Sequence, residues 1–220
     1  MNKDNYVHTP YNDEWIAQRA DPYAYRHTDG TCYFTASVPA YDRIVLRAAK
    51  DLDGLVTAEE KTLWEKHESG PQSIHIWAPE IHYLFGGWYI YYAAGDKDDI
   101  WNIRPYVLHC KGEDPMKDEW EELGMMYVNE DADLLDPHAW IKLRYPVLKT
   151  DEEKGIYGPG HNCFVKADDG ETDLCVYHAR PYDEIIGDPL YDPNRHARIM
   201  KVTYDEKGFP VFAYKKVKES

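Results

Sequence analysis

The chain is short of positive charge. Its 25 Lys and Arg residues face 40 Asp and Glu, for a formal net charge of −15 and an isoelectric point near 5.0. Phosphate backbones and anionic membrane surfaces are held by surplus cations, so the expected partners include neither nucleic acid nor membrane. Long apolar runs are also absent. None approaches the roughly 18–20 residues of a spanning helix, and mean hydropathy is −0.69. The opening MNKDNYVHTPYNDEW shows neither an apolar leader core nor a lipidation signal. This gives the expectation of a cytoplasmic protein, with secretion left open if a leader was trimmed. Cysteine is sparse: Cys32, Cys110, Cys163 and Cys175 show no CxxC or CxxxC spacing, which removes a zinc ribbon and a redox dithiol. Three of them, Cys32, Cys163 and Cys175, sit in apolar strand-like runs as small buried hydrophobes. Phe is scarce too, 5 against 19 Tyr and 7 Trp. Tyr and Trp join a flat apolar face to a polar tip, which suits half-buried strands and also sugar-binding surfaces.

Three segments share one plan: a polar residue beside Pro or Gly, an alternating run, a Gly turn, then a Tyr-rich run. The first contains Asp21-Pro22 and turns at Asp29-Gly30. The second contains Trp77-Ala78-Pro79-Glu80 and turns at Gly86-Gly87. The third contains Gly158-Pro159-Gly160-His161 and turns at Asp169-Gly170. Such turns between alternating runs predict β-hairpins. Further strands are predicted at 43–48, 106–110, 197–203 and 211–214. TAEEKTLWEKH (57–67) reads either as a helix capped by Thr57 or as a connection ending in a strand at 62–66. A hairpin followed by one or two more strands is the anatomy of a β-propeller blade. Asp21, Glu80 and His161, read as equivalent axial positions, are 59 and 81 residues apart. The second interval is too long for one blade and too short for two. No linker or low-complexity tract divides the chain, which predicts a single domain over 1–220.

The stretches RADPYAYRHTDGTCYFTAS, HIWAPEIHYLFGGWYIYYAAGD, IYGPGHNCFVKADDGETDLCVYHAR and DPLYDPNRHARIMKVTYDEKGFP resemble, in order, the family-43 glycoside hydrolases. These are five-bladed propeller enzymes acting on arabinan, arabinoxylan and xylo-oligosaccharides, and the nearest branch resembles α-L-arabinofuranosidases. The resemblance implies an all-β propeller that hydrolyses glycosidic bonds with inversion. It makes Asp21 the general base and gives Trp77, Glu80 and His82 to the sugar pocket. It puts His161 near an axial metal or water site, commonly calcium, and Arg195 against the sugar, with Arg198 close enough to compete. The implied partner is an arabinose- or xylose-containing oligosaccharide.

The chain departs from the family plan in its middle. The family's third-blade Asp and its fourth-blade Glu-Gly-Pro general acid have no match, and Trp120-Glu121-Glu122 runs almost directly into Asp131-Ala132-Asp133. The expectation is an internal deletion near 113–131 of about one and a half blades, leaving a ring of about three to four. Glu130, in Val128-Asn129-Glu130, is a weak echo of the acid. A ring with unpaired edges would invite homo-oligomers. The alternative function is a remnant that binds carbohydrate without cleaving it, or is inert. Each site residue also has an ordinary reading. Asp21 would be a turn residue, Glu80 an ion-pair partner, His161 a turn histidine, Trp77 core packing, and Arg195 a counter-charge to Asp188 and Asp192. The run Asp96, Asp98, Asp99 lacks the ligand alternation of a calcium loop and reads as solvated.

Overall fold

The fold is that of a computed structural model describing residues 15–126, 146, 148–206, 208 and 210–212. It is built from antiparallel strands in chain-neighbour order. The first sheet holds β1 (Ala20–Arg26), β2 (Cys32–Ser37), β3 (Arg43–Ala49) and β4 (Lys61–Glu65). The second holds β5 (Pro71–Leu84), β6 (Gly87–Asp96), β7 (Asp99–Cys110) and β8 (Trp120–Met125). The third holds β9 (Tyr157–Lys166), β10 (Asp173–Arg180) and β11 (His196–Lys201), followed by a small hairpin of β12 (Thr203–Tyr204) and β13 (Pro210–Val211). The three expected hairpins form. The ambiguous 57–67 segment resolves as strand β4 rather than helix, and the only helical turn near it is a 3-10 turn at Asp53–Val56. Trp64 explains the choice: it reaches across to Tyr92 of the second sheet, 5.4 Å between ring centres, which a separate helix would forgo.

The first sheet lies between the other two. Cys32, Phe34 and Ala36 of β2 pack with Cys163, Val165, Leu174 and Val176 of the third sheet. Tyr33 packs with Ile81, Trp88 and Ile90 of the second. All six residues of β2 are therefore buried, so neither face of CYFTAS meets solvent. The far face of the third sheet carries Cys175, Tyr177 and Met200, covered by Leu148 and Phe212. The far face of the second sheet is less covered: Leu123 is 55% exposed. The chain start closes one seam. Ile16 bridges Ala197 antiparallel, with Ala197 N–H donating to Ile16 O at 3.0 Å, so the residues before β1 extend the third sheet. Trp15 anchors this crossing edge-on to Phe34, 5.4 Å between ring centres.

Candidate active site

The innermost strand of each sheet carries the same irregularity. Ala20 pairs with Ser37 and Tyr23 with Thr35; Trp77 pairs with Ala93 and Glu80 with Tyr91; Gly160 pairs with His178 and Cys163 with Val176. In each case three steps on the inner strand face two on its partner, a β-bulge. The extra residue has a left-handed backbone: φ is 49° at Asp21, 48° at Ala78 and 39° at His161. For residues other than Gly this costs about 1–2 kcal/mol each, so the surroundings must enforce it.

They do so with a repeated pin between neighbouring sheets. The N–H of Asp21 donates to Nδ1 of His178 on the third sheet at 3.0 Å. The N–H of Ala78 donates to Oγ of Ser37 on the first sheet at 2.8 Å. Ser37 and His178 occupy equivalent register positions, so one device joins third sheet to first and first to second. This corrects the equivalence expected from spacing. The counterpart of Asp21 and His161 is Ala78; Glu80 lies two residues on, level with Tyr23 and Cys163. Polarity alone had suggested Glu80, because a bulge leaves no mark on a polar-residue count.

Asp21 sits at the meeting of these pins with a side chain only 14% exposed. Its Oδ2 accepts from the Ser37 hydroxyl at 2.7 Å, and Oδ1 lies 3.4 Å from His178 Nδ1 and 3.7 Å from His161 Nδ1. Burial works against its charge, but His178, the Ser37 hydroxyl and His161 outweigh it and hold the carboxyl at about 2. His178, whose Nδ1 receives a backbone N–H, carries its neutral-form proton on Nε2. Burial pushes its pKa below the usual imidazole range despite the neighbouring carboxylate. At neutral pH the pair is therefore a carboxylate beside a neutral ring.

Glu80 and His82 form a second group on the same side. His82 Nε2 lies 3.4 Å from Glu80 Oε2, and its Nδ1 lies 3.4 Å from the Tyr23 hydroxyl. The bond to His82 holds the Glu80 carboxyl below its ordinary value against the pull of burial, with help from His161. Trp77 stacks on His75 at 4.5 Å and 22° and meets Tyr41 edge-on at 5.6 Å. Arg195 Nη2 donates to the Tyr41 hydroxyl at 2.5 Å, which donates to Leu190 O at 2.7 Å. Trp77 and Arg195 thus share Tyr41. Their Nε1 and Nε atoms are both buried without a hydrogen-bond partner, a deficit that an acceptor brought into the cup would relieve. Arg198 is no competitor. It pairs across from Tyr177 and its Nε reaches Ala179 O at 3.5 Å.

His161, the expected metal neighbour, does lie beside Asp21, but the cluster does not suit calcium. That ion takes about six to eight oxygen ligands. Here two imidazoles surround one carboxylate already bonded to Ser37, and among the described residues no group of three or more His, Cys, Asp or Glu could hold a metal. Glu130 lies outside the described residues. The motif reading missed Ser37, His178, Tyr41 and His75. For the first two a signal existed: each is a polar residue inside a mostly apolar, buried strand run, and such groups need partners.

The family model for glycosyl hydrolases family 43 matches residues 15–139 and 123–210. The chain belongs to glycosyl hydrolase family 43. It is 35% identical to an extracellular exo-α-(1→5)-L-arabinofuranosidase of Streptomyces avermitilis, over 89% of this chain and 61% of that one. It is 32% identical to the enzyme of the same name from Streptomyces chartreusis, over 82% and 85%. The crystal structure of an α-L-arabinofuranosidase from Lactobacillus brevis superimposes with a TM-score of 0.84 at 33% identity, covering 98% of this chain and 100% of that one. The family-43 chain thus spans 61% of the first relative, and that alignment runs over 295 positions against its own 220 residues. The fold is the family's all-β propeller in incomplete form, as the resemblance implied. The expected cytoplasmic location is corrected: both Streptomyces relatives are named extracellular, which points to secretion.

Proposed function

We propose that this chain is a glycosidase of the α-L-arabinofuranosidase type, acting on arabinose- or xylose-containing plant polysaccharides with inversion. Asp21 is its general base. The observation that supports the reading is the ionised Asp21 carboxylate, held by Ser37 at 2.7 Å where all three sheets meet, beside the Trp77–Tyr41–Arg195 wall. A base of this kind takes a proton from water as the water attacks the sugar from the face opposite the leaving group. The Ser37 hydroxyl orients the carboxylate, and His178 holds its backbone by accepting the Asp21 N–H.

Inversion also needs a protonated carboxyl about 6.5–9.5 Å away. Glu80 is unsuited, because His82 keeps it ionised. Among the described residues every Asp or Glu with a displaced pKa is displaced downward, so none is prepared as the acid. The family match in two pieces that overlap at 123–139 supports a single domain shortened between its second and third sheets. The reaction then depends on the leaving group. The chain should release 4-nitrophenol, a good leaving group, from its α-L-arabinofuranoside, and should release methanol from the methyl glycoside at least 10²-fold more slowly. Asp21→Asn should abolish both.

The missing acid also favours a second reading, a sugar-binding remnant. It would show no release by either protein, with calorimetric heat on adding arabinohexaose that is lost in Trp77→Ala. Homo-oligomerisation through the open sheet faces is part of the proposal, and a 25.7 kDa monomer by light scattering would discard it.

A further inference from the structure

A second concave site lies away from the cup, between the first and second sheets. We propose that this groove binds a neutral oligosaccharide chain, giving the protein a sugar-holding site separate from Asp21. The cavity has a volume of about 680 Å³ and is lined by the β1–β2 turn, the β5–β6 turn and the connection between β7 and β8. Such a volume falls in the range of about 300–1,000 Å³ typical of small-molecule sites. His27 lies six residues beyond Asp21 along β1, so the two sites are about 20 Å apart at opposite ends of one strand.

The groove has a rigid aromatic side. Trp88 is nearly buried, with its Nε1 donating to Glu113 O at 3.1 Å. Around it stand His27, Tyr33 and Tyr83, with ring centres 4.7, 4.9 and 5.0 Å away. Tyr83 remains 40% exposed and is steadied by His27 at 4.8 Å. The opposite side is polar. Asp29 accepts from Thr31 N–H at 2.8 Å, a bond that keeps its carboxyl below the usual range. Asp114 is paired with Lys117 at 2.6 Å. The exposed Tyr83 ring, backed by buried Trp88 and set opposite fixed carboxylates, matches a sugar, which offers apolar C–H faces and a rim of hydroxyl donors.

Other ligands fit less well. The lining's carboxylates repel phosphate, and its one lysine is already paired with Asp114. Among the described residues no side-chain set for a metal exists. The groove lies on the packed seam of the first and second four-stranded sheets. The choice of an arabinose-containing chain rests on the function proposed above; the groove's chemistry requires only a neutral sugar. Holding a polymer about 20 Å from the cup would raise the local concentration of chain ends there.

The test is titration of the full chain with arabinohexaose and xylohexaose, by calorimetry and by amide NMR. One of the two sugars is expected to shift the amides of Thr31, Gly86 and Lys117. Its affinity for the groove should fall at least tenfold in Tyr83→Ala and persist in Trp77→Ala. The NMR shifts report the groove in the unaltered chain, so they decide the matter even if Tyr83→Ala folds poorly. Shifts confined to residues around Trp77 and Tyr41, or no binding of either sugar, would overturn the proposal. Release of 4-nitrophenol from a small aryl glycoside needs the cup alone, so it should be the same in Tyr83→Ala and wild type. Failure of the groove is thereby distinguished from failure of the cup.

Discussion

Asp21 stabilises the fold more when charged than when neutral. Its folded pKa of about 2 lies below the ordinary aspartate value of 3.8, and such a depression contributes about 2 kcal/mol. That contribution is complete above the unfolded pKa and is lost as pH falls through about 4 toward 2. His178 acts with the same sign, since its depressed pKa favours the folded state until the unfolded imidazole charges. Other carboxylates, Glu60 and Glu122 among them, also weaken in acid, so the variant comparison is what isolates Asp21. In urea unfolding between pH 7 and 2, wild type should lose stability more steeply than Asp21→Asn below pH 4. Parallel curves would contradict this. Ser37 bonds both the carboxylate and the Ala78 N–H, so Ser37→Ala should cost about 1–3 kcal/mol, the range for orphaning a buried polar group. Urea midpoints at pH 7 check it. Asp21, Trp77 and Arg195 were legible in the sequence because short motifs carry them. Ser37 and His178 stood out only as polar groups in strand runs; what they touch on another sheet was not readable.

At the scale of elements, hairpin turns could be read and bulges could not. Gly30, Gly86 and Gly170 all have positive φ, at 90°, 81° and 72°, as their turn motifs predict. The second turn falls at Phe85-Gly86, one residue before the expected Gly86-Gly87, because Gly87 of β6 already pairs with Leu84, and Phe85 takes φ 54° while 94% exposed. Asn is favoured before Gly in such a two-residue turn. Phe85→Asn should therefore raise stability by about 0.5–1 kcal/mol, read as a higher thermal midpoint; a lower midpoint would contradict it. The bulges at Asp21, Ala78 and His161 leave no comparable trace, since Pro follows two of them and Asn the third. Pairing register alone separated Ala78 from Glu80.

Among the described residues the first sheet contacts both of the others, and residues that precede the first strand bridge to the third. Trp15 is 3% exposed against Phe34, so Trp15→Ala should cost about 3–5 kcal/mol and lower the urea midpoint accordingly. A change within about 0.5 kcal/mol would show that the seam carries little. The three hairpins were readable because each is local. The flanking order of the sheets and the bridge from Ile16 to Ala197 were not, because they join residues about 180 positions apart. In the proposed reaction one carboxylate, fixed where three sheets converge, activates water against a sugar. The most direct measurement is azide rescue of Asp21→Gly, a substitution that the backbone φ of 49° accepts. With 4-nitrophenyl α-L-arabinofuranoside the variant should be inactive in buffer. Added azide should restore 4-nitrophenol release and yield the β-arabinofuranosyl azide. Wild-type activity without azide, or no rescue in a variant shown to be folded, would contradict the account.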